Sequence, residues 1–317
     1  MNLRKRIFIA SLIALLLSEK ASVFCSELTA QDLPKLSIEE LVSELSDEDR
    51  KDLGFLFSHL IHENHFGYTL FGDKPVSIAG YFIREPTQHV LSSYIPSFSV
   101  DRLWKVWQKH ASKFPLQDYL FLNELCSPKS DNLRIITIIN KSAFLKIVEE
   151  HIDDFHKVLG REMTPLKLLE KLSLPEASLF EALHRNEVLY GILLGYGKHN
   201  AEFYDRRSLL MHNISSLNCY RPVVDSPYES FSLRYPRPSP CRSIEDEYRE
   251  MDEKCEGFDL DFKLSPFFSP HFVAMKDTPE TQSLKKKYRE IHRMLVKKYA
   301  EGDFLTITLK QLTSDNS

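Results

Sequence analysis

The residues whose types and spacing come nearest to chemistry are His59, His62 and His65, three apart, with Glu63 among them. On a helix His59 and His62 share a face with Glu63, and imidazoles beside a carboxylate form a ligand set that zinc accepts. The zinc-protease pattern, however, is His-Glu-x-x-His, with histidines four apart so that both reach one ion. Here His62-Glu63-Asn64-His65 gives a spacing of three, and Phe66 stands where the second ligand belongs. The arrangement reads better as a helix end, where imidazoles suit the negative pole of the dipole. No metal and no cofactor is therefore expected, and His59, His62 and His65 are the positions at which a metal would have to be sought.

Other fragments of chemistry are weaker still. Gly195-Tyr196-Gly197-Lys198 resembles part of a phosphate-cradling loop but lacks its Gly-x-x-x-x-Gly-Lys-Ser/Thr spacing and an upstream strand. With Gly191 four residues earlier, the glycines read as close helix packing followed by a helix stop. No Gly-x-Ser-x-Gly elbow occurs. Cys126 has no histidine near it in sequence, so pairing with His151 or His184 would need the fold to bring them together. Glu149, Glu150, Asp153 and Asp154 around His151 read as a solvated helix face. Near the end, Lys285, Lys286, Lys287, Arg289, Arg293, Lys297 and Lys298 flank an apolar stripe of Leu284, Tyr288, Ile291 and Leu295. Such a helix, Leu284 to Tyr299, either neutralises the acidic stretch at 245–261 or meets an acidic membrane or partner.

The first 25 residues place the chain. Arg4, Lys5 and Arg6 precede an apolar run from Ile7 to Leu17 and then polar residues, the order of a cleaved secretory signal. The run is about half the roughly 20 residues that cross a bilayer. Four basic residues and one acid lie in that segment, so of the chain's net charge of −4 the remainder carries −7. Such a balance excludes a general nucleic-acid binder. Cys25, next to the expected cleavage point, offers a second route to a membrane through lipidation, although Phe24 is bulkier than the residue such signals place there. Cys126, Cys219, Cys241 and Cys255 would then remain, with three connectivities open to them in an oxidising compartment. A hydrophobic fraction of 43% is enough for a packed core.

The elements that must position these residues follow from periodicity. After a flexible lead-in at 26–36, Ser37-Ile38-Glu39-Glu40 forms a capping box, and Ser46 with Asp47, Glu48 and Asp49 opens a second helix that Gly67 should stop. Residues 68–71 and 76–83 read as a hairpin across Gly72-Asp73-Lys74-Pro75. Helices are expected at 101–113, with Trp104 and Trp107 on one side, at 142–159, from Thr164-Pro165, and across 176–196. Residues 134–140 are the clearest strand. Prolines at 222, 227, 236, 238 and 240 and an acidic run make 219–272 a long excursion with little regular structure, draped over the body. Thr278-Pro279 caps the basic helix, and 304–309 reads as a closing strand in one sheet with 134–140.

Three segments together, 67–76, 191–201 and 281–309, resemble a group of uncharacterised exported proteins from Chlamydia-like intracellular bacteria. The resemblance implies a bacterial envelope or host-facing location and assigns no activity. The expected fold is α+β, predominantly helical, with a small sheet and a long Pro-rich irregular excursion. It divides into a signal peptide at 1–25, the lead-in at 26–36, a body at 37–218, the excursion at 219–272 and a C-terminal part at 273–317. The expected role is an exported binding or structural protein, with an unknown protein partner and no nucleic acid. The alternative is an exported hydrolase, with or without a metal, whose site is assembled from distant residues, and a third reading is a host-directed effector.

Overall fold

The computed structural model describes residues 36–83, 99–126, 132–216, 239–260, 262 and 265–313. The leader, most of the lead-in and the proline-dense stretch at 217–238 lie outside the described residues. The chain divides into two units, Met1–Glu44 and Leu45–Ser317. In the first, helix α1 (Ile38–Ser43) opens with the expected capping box. Ser37 Oγ accepts from Glu40 N at 3.2 Å, and Glu40 Oε2 accepts from Ser37 N at 2.8 Å.

The second unit is α+β and predominantly helical, with two small antiparallel sheets. Helix α2 (Asp47–Ser58) starts at Ser46, whose hydroxyl accepts from Asp49 N. It continues as a π-helical turn (His59–Glu63), and a short helix α3 (Phe66–Leu70) follows. Strand β1 (Val76–Phe82), helix α4 (Ser99–His110), strand β2 (Tyr119–Leu125) and strand β3 (Leu133–Asn140) come next. β3 lies between β1 and β2, antiparallel to both. Its central place follows from its sequence: Ile136, Thr137, Ile138 and Ile139 are all buried, so both faces of the strand are covered. On one face Phe121 meets Trp104 and Trp107 of α4. On the other, Val76, Leu122 and Ile139 join a core supplied by helices α5 (Lys141–Glu150), α6 (Ile152–Leu159), α7 (Pro165–Leu172), α8 (Leu179–Ala182) and α9 (Glu187–Leu193).

The rest of the unit consists of α10 (Lys198–Ser216), α11 (Ser239–Glu253), the ribbon β4 (Cys255–Gly257) with β5 (Val273–Met275), α12 (Pro279–Tyr299) and α13 (Phe304–Thr313). α12 begins where Thr278 Oγ1 accepts from Thr281 N, with Pro279 at its first position. It buries Tyr288, Ile291 and Leu295.

Four expectations are corrected. The hairpin does not form, because 66–70 is helical and only β1 of the pair exists. Local β propensity yields to burial: Phe66, Tyr68 and Leu70 are all buried, and Tyr68 Oη lies 2.7 Å from His292 Nδ1 of α12. Gly72 is needed for close approach rather than for a turn. A Cβ there would lie 2.6 Å from Ile291 Cδ1 and 2.7 Å from the Tyr68 carbonyl. Gly67 is inside α3, and the stop falls at His65, whose φ of 64° is left-handed.

The closing strand is also a helix. Asp303 caps it through Thr306 N at 2.8 Å, and Leu305, Leu309 and Leu312 are buried at helical spacing. Thr308 Oγ1 donates back to the Phe304 carbonyl, a bond that accommodates a β-branched residue in a helix. The sheet partners of β3 are therefore β1 and β2, not the C-terminus. Finally, the excursion contains α11. Pro240 stands in its first turn, where a missing N–H costs nothing. Its acids meet α10 through Arg206–Glu247 and Arg207–Asp252 at 2.6 and 2.5 Å. The irregular residues beyond β4 are structural rather than draped, since Phe258, Leu260, Phe267 and Phe272 are buried.

Candidate functional site

The three histidines turn to three different neighbourhoods. His59 Nδ1 donates to Glu63 Oε2 at 2.9 Å, while Nε2 accepts from Asn64 Nδ2 at 3.2 Å. His62 shares a 3.0 Å hydrogen bond with Ser58 Oγ, and its ring lies 4.9 and 5.1 Å from those of Phe267 and Phe304. Desolvation lowers its pKa against the opposing pull of Glu63. His65 is held down to about 4, chiefly by desolvation and then by the Lys74 charge. Among the described residues no three His, Cys, Asp or Glu side chains group as metal ligands. The spacing of three fails here for a further reason: the π-helical turn rotates the imidazoles away from the positions an α-helix would give them.

The other sequence candidates also find partners inside the fold. Gly195 and Gly197 take left-handed φ values of 76° and 86°, and Lys198 pairs with Asp154 at 2.7 Å. At the start of α10, where a cradled phosphate would sit, Glu280 accepts from the amides of His199 and Asn200 at 3.3 and 3.0 Å. The protein's own carboxylate thus takes the anion position. Gly191 packs on Ala201, as close helix packing requires. His151 lies 3.9 Å from Asp154, and His184 Nδ1 pairs with the Val158 carbonyl. On the basic helix, Lys285 reaches Glu256 at 2.6 Å within the acidic stretch, whereas Lys287 reaches Asp73 at 2.9 Å. Arg289, Arg293, Lys297 and Lys298 have no ion pair among the described residues. Cys126 and Cys255 are free thiols, so no disulfide joins them; Cys25 and Cys219 lie outside the described residues.

A different set of residues is left open. At the end of β2, Glu124 and Cys126 face a cleft of about 580 Å³ whose walls include Arg134, Glu181, Glu187 and Tyr190. Glu124 is buried on a strand position that alternates with Leu120 and Leu122. It accepts from Leu179 N at 3.3 Å, at the first residue of α8. Burial raises its pKa, and the Ser178 and Leu179 hydrogen bonds only partly oppose that. A carboxyl so placed favours its neutral form more than a solvated one does.

Glu187 and Tyr190 also belong to a second hollow, of about 330 Å³, lined by Tyr196, Tyr204, His271 and Phe272. Tyr196 is laid on Phe272 with ring centroids 4.3 Å apart, and Phe272 on Phe258 at 4.4 Å. Burial pushes the Tyr196 phenol up to about 12 and raises that of Tyr190 further. The hydroxyls of Tyr190, Tyr196 and Tyr204 make no hydrogen bond among the described residues. Glu187 has no ion pair there either, and burial, followed by the charge of Asp205, raises its pKa.

Sequence reasoning missed this pair of hollows. The one signal for Glu124 was a carboxylate on the inward side of an apolar strand, Leu120-x-Leu122-x-Glu124, and β2 itself was overlooked. The tyrosines carry no motif, because 190, 196 and 204 converge only once the loop at Gly195 folds α10 against α9. The arrangement can bind: it offers shape, aromatic surface and excess negative charge. No family model, curated protein or solved structure matches the chain.

Proposed function

We propose that the protein is an exported bacterial binding protein whose ligand occupies the two hollows that meet at Glu187 and Tyr190. The observation that carries this reading is the shared wall itself. Elsewhere in the second unit His59, His151 and His184 are engaged by neighbouring groups, and the loop glycines serve the backbone. Here a carboxylate and phenol hydroxyls face open space without partners among the described residues, and a binding site needs such convergent polar groups in a largely apolar recess. The order of charged, apolar and polar residues at the N-terminus supports export. Among the described residues no helix is long and apolar enough to cross a membrane. An envelope or host-facing location is the one the sequence resemblance implies.

A hydrolase built on the cleft's thiol requires a base beside that nucleophile. Among the described residues Cys126 has no histidine in its cleft, and His184 is engaged with a main-chain carbonyl. Binding is the reading with positive support.

Crystals of the full chain soaked with a library of small polar and aromatic fragments test the proposal. Fragments should collect in the two hollows, and Tyr190→Ala should disperse them. Fragments bound at scattered surface points, with both hollows empty, would overturn it.

A further inference from the structure

We propose that the hollow framed by Tyr190, Tyr196, Tyr204 and Phe272 binds an organic ammonium group, with Glu187 as its counter-charge. This rests on the reading of the hollows as a ligand site and names the chemistry of what enters one of them.

The aromatic frame is rigid. Phe272 is held between Phe258 on one side and Tyr196 on the other, at 4.4 and 4.3 Å with interplanar angles of 16° and 20°. Tyr196 is the outer member of that stack, and its second face makes no ring contact among the described residues. Tyr190 is fixed by an edge contact to Phe180 at 5.4 Å. Tyr204 stands at the mouth, 46% exposed. The face of an aromatic ring is its negative part, so rings around a recess attract a cation there. The three phenol oxygens add acceptors.

The polar inventory points the same way. Asn200, which also lines the hollow, is already used. Its Nδ2 donates to the Tyr196 carbonyl at 3.0 Å, and its Oδ1 accepts from Met275 N at 2.9 Å and Thr281 Oγ1 at 3.2 Å. Among the described residues no lysine or arginine lines the recess. An anionic ligand would meet no fixed positive charge there, only the imidazole of His271. A neutral sugar would find stacking but little directed amide or guanidinium hydrogen bonding. An ammonium group finds aromatic faces, phenol oxygens, and the unpaired carboxylate of Glu187 with Asp205 close enough to raise its pKa.

The ammonium group has two sources, a free small molecule or a lysine-type side chain of a peptide, and one titration series separates them. The full chain is titrated by calorimetry with choline, with 3,3-dimethyl-1-butanol as its uncharged isostere, and with a short peptide carrying trimethyllysine. Choline should bind at least tenfold more tightly than the isostere. Glu187→Gln and Tyr204→Ala, both on exposed residues, should each weaken choline about tenfold while leaving the thermal midpoint in place. A peptide tighter than choline assigns the cation to a side chain, and a weaker one to a free ammonium; both outcomes support the proposal. Equal binding of choline and its isostere would overturn the cation reading and leave the ligand site standing. No binding of choline by a chain whose hollows take fragments in the soaking experiment would do the same. Empty hollows in both experiments would overturn both readings.

Discussion

One row of aromatic rings joins the histidine turn to the open hollow, and its two ends differ. The row runs from His62 through Phe267, His292, Tyr68, Tyr288, Phe258 and Phe272 to Tyr196, each ring within 6.2 Å of the next. At the first end the residues are chemically suggestive and are held by neighbouring side chains: His59 by Glu63 and Asn64, His62 by Ser58 through one ring nitrogen. At the other end the residues are ordinary tyrosines, and their hydroxyls make no hydrogen bond among the described residues. Polar groups that converge on a recess and are not spent on internal hydrogen bonds are available to a ligand, so they are the more informative feature. Residue type alone points to the end whose polar groups the fold already uses.

The largest effect should come from the middle of the row, where both ends share support. Gly195 has a φ of 76°, its carbonyl accepts from Tyr288 Oη at 2.7 Å, and an added Cβ would lie 2.5 Å from that oxygen. Gly195→Val should therefore cost about 3 kcal/mol or more, from left-handed strain and the lost buried bond together. A denaturant midpoint within error of wild type would show that the row does not depend on this contact.

Second in size is an acid-side loss of stability centred on His65. Its folded pKa, about 4, lies below the ordinary 6.5 because the ring is desolvated and faces Lys74, with His271 adding a smaller push. Between pH 6.5 and 4 the unfolded chain binds a proton that the folded chain refuses. Stability should thus fall as pH drops through that window, by on the order of 2–3 kcal/mol, and level off below it. His65→Asn, which tolerates the left-handed backbone at this position, should flatten the slope. Urea titrations at pH 7, 5.5 and 4 measure it; equal slopes in wild type and variant would remove His65 from the account.

Gly72→Val should cost roughly 1–3 kcal/mol, because Ile291 can give way but the Tyr68 carbonyl cannot. The loss should appear in the equilibrium midpoint and be relieved in part by Ile291→Ala, which removes the side-chain clash but not the one with the Tyr68 carbonyl. Additivity of the two substitutions would contradict that geometry.

The smallest effect should be at the suggestive end. His59→Gln and His62→Gln together should lower stability by only about 1 kcal/mol, the worth of their partly exposed hydrogen bonds. A chelator should leave the wild-type midpoint unchanged. A midpoint that falls with chelator, and no longer does so in the double variant, would move the chemistry back to the histidine turn.

What could be read in advance was local. The capping box at Ser37, the Thr-Pro starts at 164 and 278, and the isoleucine-rich β3 each carry their instruction within a few residues. What could not be read depended on distant burial. Residues 66–70 and 304–313 have mixed propensities, and packing of Tyr68 and Ile291 around Gly72, or of Leu305, Leu309 and Leu312 in the core, decides between strand and helix. Pro240 looked like a breaker because its place in a first turn is known only once the helix is. The hollow was the least legible part. Its tyrosines come from α9, the loop after it and α10, and its Phe272 from just before β5, so no single window of sequence contains it.

The most direct measurement is a spectrum of the full chain with carbon-13 in its tyrosine rings, recorded while tetramethylammonium is added. The resonances of Tyr190, Tyr196 and Tyr204 should move together along one saturable curve, and those of Tyr68 and Tyr119, remote from the hollow, should stay where they are. Uniform small shifts across all tyrosines, or none at the three that line the hollow, would contradict the claim that the open end of the row is where this protein binds.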